Sequence, residues 1–597
     1  MTTAAFKQTS VDITGLLKVL GKNLYSRPEV AVRELVQNAS DAIARRKLQS
    51  DTPFSPLIDV TCQSETQTLI ITDNGSGLTD EEIETYLARI GSGFTRTLRK
   101  DSENSDLIGA FGLGFLTAYM IGKKVEVQTT SLSGEAFRFV SENGERYVVS
   151  PMTPGETGSR VIITLKDKFD YLADAIELGN VLNEYCRLMT TPIRFQGSKP
   201  INIDPPWRVE VSNEPLIRLQ RRRDEFAREI EPFFDPICTI PVITPQGNGL
   251  LWVHDRSTYG GADNRWMQIY IRGMMVARNK HDFLPGWAGF VSGVFESSTL
   301  SPTASREDII TDDVYQFART ATAKALNAGL ADIAKTQPEL WRTILRRHNE
   351  ALLGAAIADD TLFQAIHSDL KIPTSEGDLT LPEIRDRSPN GLAIAITADG
   401  SADEIVSRAF GTPVILGYRY GAAGMAVRYA ALNQIDVIEL GTQSGHLMLF
   451  PEANPKADMR ARLEALFGDE DMTLILSKFE PDYLSCLCFV DAEQTLKSYY
   501  ESDEADKNIS KGALSLARAF TQKIESKAPL HLVINLNSPI IKALNHIPDQ
   551  TAQACANTLS ANARMLCKHK ALGTDGFAQA LQSLNIGILG MITKGSD

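Results

Sequence analysis

Apolar residues recur at helical spacing near the start of the chain, at Leu16, Leu17, Leu20 and Leu24 and again at Val32, Leu35, Val36 and Ala39. This spacing predicts two helices, each with one apolar face. Short apolar runs at 57–61, 68–72, 124–129 and 159–165 predict strands. Helices and strands do not alternate strictly, so the first two hundred residues read as an α/β sandwich rather than a doubly wound sheet. Prolines at 200, 205 and 206 interrupt any regular element. The charged stretch 218–231, mixed in sign, reads as a solvated helix. A second α/β region follows to about residue 345, then smaller α/β and helical segments, with soft boundaries near 350 and 455. The fold class is therefore α/β (α+β) throughout, with no internal repeat.

Bulk properties narrow the function. A chain of 597 residues has room for three or four domains of about 150 residues each. Its 43% hydrophobic content suits buried cores. A net charge of −13 disfavours a protein that coats nucleic acid or an anionic membrane. No apolar run is long enough to span a bilayer, and the first residues do not read as a secretory signal. Seven cysteines in this length are no disulfide framework. Cys486 and Cys488 fall on one face of an apolar strand, where core packing is favoured over a metal site. The expectation is a soluble protein of a reducing compartment, the cytoplasm.

Three segments carry candidate chemistry. In Val-Arg-Glu-Leu-Val-Gln-Asn-Ala-Ser-Asp-Ala, 32–42, Glu34, Asn38 and Asp41 share one face of a helix. In Leu-Ile-Ile-Thr-Asp-Asn-Gly-Ser-Gly-Leu, 69–78, an apolar strand ends in Asp73, and Gly75 and Gly77 allow a sharp turn or a close ligand. In Ile-Gly-Ala-Phe-Gly-Leu-Gly-Phe, 108–115, glycines at 109, 112 and 114 precede an apolar helix whose N-terminal amides can cradle an anion. Each segment alone has a plain alternative: a solvated face, a common turn, a close-packed helix start. Together, in this order, they resemble the Bergerat-type ATP site shared by gyrase, MutL, histidine kinases and the heat-shock protein 90 family. No P-loop occurs.

Further residues single out one branch. Leu24-Tyr-Ser before the first motif, Ile-Tyr-Ile-Arg-Gly-Met-Met-Val at 269–276, Phe-Val-Ser-Gly-Val-Phe-Glu at 290–296, Leu-Ser-Pro-Thr-Ala-Ser-Arg-Glu at 300–307 and Ile-Asn-Leu-Asn-Ser-Pro at 534–539 are similar to heat-shock protein 90 family segments. The chain thus resembles that family in its bacterial form, strongly before about 125 and between 265 and 310, thinly from 345 to 455. No histidine precedes His254, which disfavours a histidine kinase.

The resemblance implies an N-terminal ATP-binding domain over 1–205 with a mobile lid at about 91–114. A linker over 206–230, a middle domain over 231–455 and a dimerisation domain over 456–597 follow. It implies ATP as substrate and Mg²⁺ as cofactor. Asp73 would accept the adenine amino group, with Ser159 in support, and Asn38 would ligate Mg²⁺. Glu34 would activate the attacking water and Arg306 would pair with the terminal phosphate, while Arg33 would make ion pairs around them. Asp41, Gly75, Gly77, Leu78, Gly109, Phe111, Gly112, Gly114, Phe115 and Ser159 complete the nucleotide site. The plain alternative for Arg306 is an ion pair with Glu307 or Asp308.

Implied partners are a second copy through the C-terminal domain, non-native client proteins and a heat-shock protein 70-type co-chaperone system, with no nucleic acid and no membrane. The sequence departs from the family pattern at Thr95, Thr97 and Ile310, where a lysine, a glycine and a glutamine are expected. The eukaryotic acidic linker and C-terminal Met-Glu-Glu-Val-Asp are also missing, so tetratricopeptide co-chaperones are not expected to bind by that route. Two other readings stay open: a gyrase- or MutL-like ATPase acting on nucleic acid, and a nucleotide-binding scaffold without turnover.

Overall fold

The computed structural model describes residues 27–87, 115–142, 144, 146–208, 214–256, 265–303, 305–396, 411–440, 443–469, 472–490 and 530–567. The helix expected around Leu16–Leu24 and the lid at 91–114, with Gly109, Phe111, Gly112 and Gly114, lie outside these residues, as do Thr95 and Thr97. The chain divides into two compact units, Met1–Leu330 and Ala331–Asp597. Both mix helices with strands, and the α/β reading holds.

In the first unit, helix α1 (Val30–Gln49) is followed by strands β1 (Ile58–Gln63) and β2 (Thr68–Asp73). Then come α2 (Asp80–Tyr86), α3 (Leu116–Ile121), β3 (Gly122–Thr130), β4 (Ala136–Glu142), β5 (Arg146–Pro151), β6 (Gly158–Leu165), α4 (Ala175–Cys186) and β7 (Ile193–Phe195). The seven strands form one sheet in the order β5-β4-β3-β6-β2-β1-β7. Alternation sets which side each strand buries: in β1, Ile58, Val60 and Cys62 are buried while Asp59 and Thr61 are half-buried. Helix α2 starts on a capping box, Thr79 and Glu82 satisfying each other's backbone amides.

The charged stretch forms helix α5 (Leu216–Ile230), which buries Leu219, Phe226, Ala227 and Ile230 and leaves Arg218, Arg221 and Arg228 exposed. A second sheet follows, built from β8 (Pro236–Thr244), β9 (Gly247–His254), β10 (Trp266–Ile271), β11 (Met274–Ala277) and β12 (Val291–Ser297), in the order β11-β10-β12-β9-β8. Its central strand β12, buried at every position but Glu296, reads as an unbroken run rather than an alternation. Leu250, Trp252, Tyr270, Met274, Met275 and Val294 of this sheet share one core with α1, α4 and the first sheet.

The second unit holds a five-stranded and a three-stranded sheet. In the latter, β13 (Met472–Ser477) and β14 (Cys486–Val490) flank the buried β15 (Leu530–Asn535). The buried Asn535 side chain donates to the carbonyls of Phe479 (2.9 Å) and Leu484 (3.0 Å) and accepts the Phe479 amide (3.2 Å). Cys488 is buried in this unit's core and Cys486 packs against it, as the strand pattern predicted. No helix among the described residues is long and apolar enough to cross a membrane.

Candidate functional site

Helix α1 is buried almost all round in its first three turns, including Arg33, Glu34, Gln37 and Asp41. Four polar side chains in that position each need partners, because a buried charge without one is costly. For Arg33, Glu34 and Gln37 these include a loop far along the chain. Each oxygen of the Glu34 carboxylate takes a different guanidinium: Oε1 accepts from Arg33 Nη2 at 3.0 Å and Oε2 from Arg306 Nη1 at 2.7 Å. The same Arg306 Nη1 donates to the Gln37 side-chain oxygen at 2.6 Å. Arg33 in turn donates to the carbonyls of Arg306 (2.7 Å) and Ser305 (3.1 Å). Arg306 therefore pairs with a residue 272 positions earlier.

The loop that presents Arg306 is closed on itself. The Thr303 amide donates to the Asp308 carbonyl, that of Arg306 to Thr303 and that of Ile310 to Ser301. Lys280 anchors it through Asp308 at 2.9 Å. Arg306 sits at φ +54°, in the left-handed region that a non-glycine residue adopts only when its surroundings hold it there.

The second motif lies at one end of the first sheet's central strands. Asp73 ends β2 opposite Ser159 of β6. Its side chain accepts the Gly75 amide at 2.8 Å. Burial pushes its carboxyl up to about 7, partly offset by the Gly75 amide, the charge of Arg45 and the Ser159 amide. The turn after Asp73 presses on α1, the Ser76 amide donating to the Ala42 carbonyl. A Cβ on Gly75 would lie 2.5 Å from the Ala42 carbonyl carbon.

Gly77 is more constrained, at φ +63° with its would-be Cβ 2.0 Å from the Thr130 carbonyl oxygen. We expect Gly77→Ala to cost about 2–4 kcal/mol. Gly134→Ala, at φ +87° with nothing within 4 Å, should cost only about 1 kcal/mol. Thermal unfolding of the two variants separates the clash from the dihedral strain, and equal losses would contradict this account of the turn.

Thr129, which the sequence reading passed over as a strand residue, ties this end together. Its hydroxyl accepts the Leu78 amide at 2.9 Å, lies 2.9 Å from the Ser159 hydroxyl and donates to the Gly158 carbonyl at 3.2 Å. The structure thus brings Asp73, Gly75, Gly77, Leu78 and Ser159 to one place beside α1. Asp41 is buried on that helix and Asn38 is half-buried. Phe115 packs edge-on against Tyr119 and Phe139 in the core. Gln37 was also passed over, although its spacing of three from Glu34 put it on the same face.

The residues suit a nucleotide. Asp73 offers a buried acceptor that takes the Gly75 amide at 2.8 Å, and glycines follow it at 75 and 77. Among the described residues no group of three His, Cys, Asp or Glu side chains could hold a metal. A cation bound here would draw one side-chain amide oxygen from Asn38 and the rest from phosphate and water, which suits Mg²⁺.

Residues 25–154 match the family described as histidine kinase-, DNA gyrase B- and HSP90-like ATPase. The chain is also similar to proteins named chaperone protein HtpG. It is 28% identical to that of Chlorobium phaeobacteroides over 55% of this chain and 56% of the relative. For Salinispora arenicola the figures are 29%, 58% and 60%, and for Chlorobaculum tepidum 27%, 63% and 64%. The chain is similar to these HtpG chaperones and, over 25–154, to HSP90-like ATPases. Its matches span a little over half to nearly two thirds of the length of these curated relatives. Within the family frame, Glu34 and Asp73 both fall inside the matched ATPase segment and Arg306 falls outside it.

Proposed function

We propose that this chain is an Mg²⁺-dependent ATPase that works as a dimeric chaperone clamp on non-native client proteins. Support comes chiefly from the buried contact of Arg306 with Glu34, which brings two separate sequence motifs together. In this reading residues 1–205 bind ATP under the lid at 91–114, and 206–230 link to a middle domain, 231–455. Residues 456–597 hold the dimer together. Clients, a heat-shock protein 70-type co-chaperone system and a cytoplasmic setting complete the proposal.

Asp73 accepts the adenine amino group, with Ser159 and Thr129 fixing the wall beside it. Asn38 holds Mg²⁺, which when bound offsets the charge of the phosphates. Glu34 orients the attacking water and takes its proton. Arg306 moves from the Glu34 carboxylate to the terminal phosphate, where its planar, permanently charged fork stabilises the charge that develops as the bond breaks. Hydrolysis then depends on the 301–310 loop reaching the nucleotide, so turnover reports conformation.

The test is steady-state Mg²⁺-ATP hydrolysis by wild type and Glu34→Ala, with ATP binding measured on each. The expected result is wild-type turnover and a loss of about a hundredfold or more in the variant, at an ATP affinity within about threefold of wild type. A wild type that binds ATP and releases no product would replace the clamp with a nucleotide-binding scaffold.

A further inference from the structure

The Gln37 side chain is 1% exposed, and it touches the proposed catalytic pair on one side only. Its oxygen accepts from Arg306 Nη1 at 2.6 Å, while its nitrogen is buried without a partner. A buried amide with an unused donor calls for an explanation. Turning the amide over would aim its NH₂ at a guanidinium, so the arginine alone fixes its orientation. Arg306 Nη1 is then shared between two acceptors on α1, three residues apart: a carboxylate oxygen at 2.7 Å and an amide oxygen at 2.6 Å. Arg33 holds the backbone of the same loop through the carbonyls of Ser305 and Arg306. Side chain and main chain of Arg306 are thus gripped separately, and Gln37 is the neutral half of the side-chain grip.

We propose that Gln37 is a positioning residue that holds Arg306 on Glu34 and so sets how readily the arginine leaves that carboxylate for a phosphate. The turnover part rests on the ATPase reading above; the hold itself does not. While Arg306 is on Glu34, both carboxylate oxygens are occupied by guanidinium groups. Release of Arg306 therefore frees the base and delivers the cation in one movement. An acceptor that strengthens the hold slows that movement, and one that weakens it speeds it.

The experiment uses the full chain. Amide hydrogen exchange is followed in the 301–310 loop without nucleotide, in wild type, Gln37→Met, Gln37→Asn and Gln37→Glu. Met keeps the bulk and removes the acceptor. Asn keeps the amide but withdraws it by one methylene, and serves should the Met variant fail to fold. Loop exchange is expected to speed up about tenfold in the Met and Asn variants and to slow in the Glu variant. In an Arg306→Ala background the Gln37→Met effect is expected to vanish. Turnover at saturating ATP is expected to fall in Gln37→Glu and to rise in Gln37→Met, with KM little changed. Unchanged loop exchange in a folded Gln37→Met or Gln37→Asn variant overturns the proposal. So does an effect that persists without Arg306, or a turnover that falls in both the Met and Glu variants. A chain that hydrolyses no ATP still answers through exchange, which separates failure of this inference from failure of the ATPase reading.

Discussion

Asp73→Asn is expected to weaken adenine-nucleotide binding by about thirty- to a hundredfold while making the ligand-free protein more stable above neutral pH. The two effects share one cause. Asp73 is buried and its carboxyl is pushed up to about 7 from an ordinary 3.8. A carboxyl whose folded pKa is raised adds stability that is fully present below its unfolded pKa and lost as pH rises through its folded pKa. The relevant window runs from pH 3.8 to about 7. Above it the ionised, buried group costs the fold on the order of 4 kcal/mol. Asparagine keeps an oxygen for the Gly75 amide and carries no charge, so it removes much of that cost at pH 8 and little at pH 4.

Binding has the opposite sign. A carboxylate accepting an amino N–H makes a charge-assisted bond worth about 2–3 kcal/mol, and asparagine forfeits most of it. The same logic gives wild type a pH dependence: affinity should fall about tenfold as pH drops from 8 to 6. The remaining dependence in Asp73→Asn reports titration of the nucleotide itself. Calorimetric binding of ADP at both pH values, with thermal unfolding of the free proteins, checks all of this. An Asp73→Asn variant that binds normally, or a wild type and variant with parallel pH profiles, would remove Asp73 from the base-recognition role.

What could be read from the sequence was what is local. Glu34, Asn38 and Asp41 announce a shared helix face by spacing, and Asp73, Gly75 and Gly77 announce a turn by composition. The strands β1, β2, β3 and β6 follow from apolar runs, and Cys488 from its place in one. The grip on Arg306 could not be read this way. Its partners Glu34 and Gln37 lie some 270 positions away, and no periodicity links them; the family resemblance alone pointed to the arginine. Nor did the sequence favour Glu34 over Glu307 or Asp308 as its partner by any local signal, since nearness along the chain argues for the latter two. Thr129 was hidden for another reason: a β-branched residue at a strand end is expected there whether or not its hydroxyl has work. Only the packing of β3 against β6 shows that it joins Leu78 to Ser159. The raised pKa of Asp73 likewise arises from burial, a property of the assembled sheet and helix rather than of any motif.

Arg306 carries the second large effect, and three substitutions there part its roles. Arg306→Ala is expected to lower ATP turnover by about a hundred- to a thousandfold, because the charge developing on the phosphates loses a preorganised cation. ATP affinity should change by less than about fivefold, since Asp73 and its glycines, proposed to hold the base, are untouched. Arg306→Lys keeps the charge but not the two-pronged geometry, and should retain less than about a tenth of the activity. Arg306→Gly removes the guanidinium as completely as alanine does, yet it relaxes a backbone held at φ +54°. It should therefore be as inactive as Arg306→Ala but more stable by about 1 kcal/mol.

Both truncations leave Glu34 buried with one arginine in place of two. Removing one partner of a buried ion pair commonly costs about 3–5 kcal/mol, and Arg33, 3.0 Å from the other oxygen, should hold the loss toward the lower figure. Turnover, ATP binding and denaturant unfolding of the three variants give the comparison. If all three lose stability but hydrolyse ATP like wild type, the buried contact with Glu34 is structural only. The proton acceptor would then work without a cation from the 301–310 loop. If instead turnover collapses in Arg306→Gly despite its gain in stability over Arg306→Ala, loss of fold cannot be the cause, and the guanidinium acts on the reaction itself.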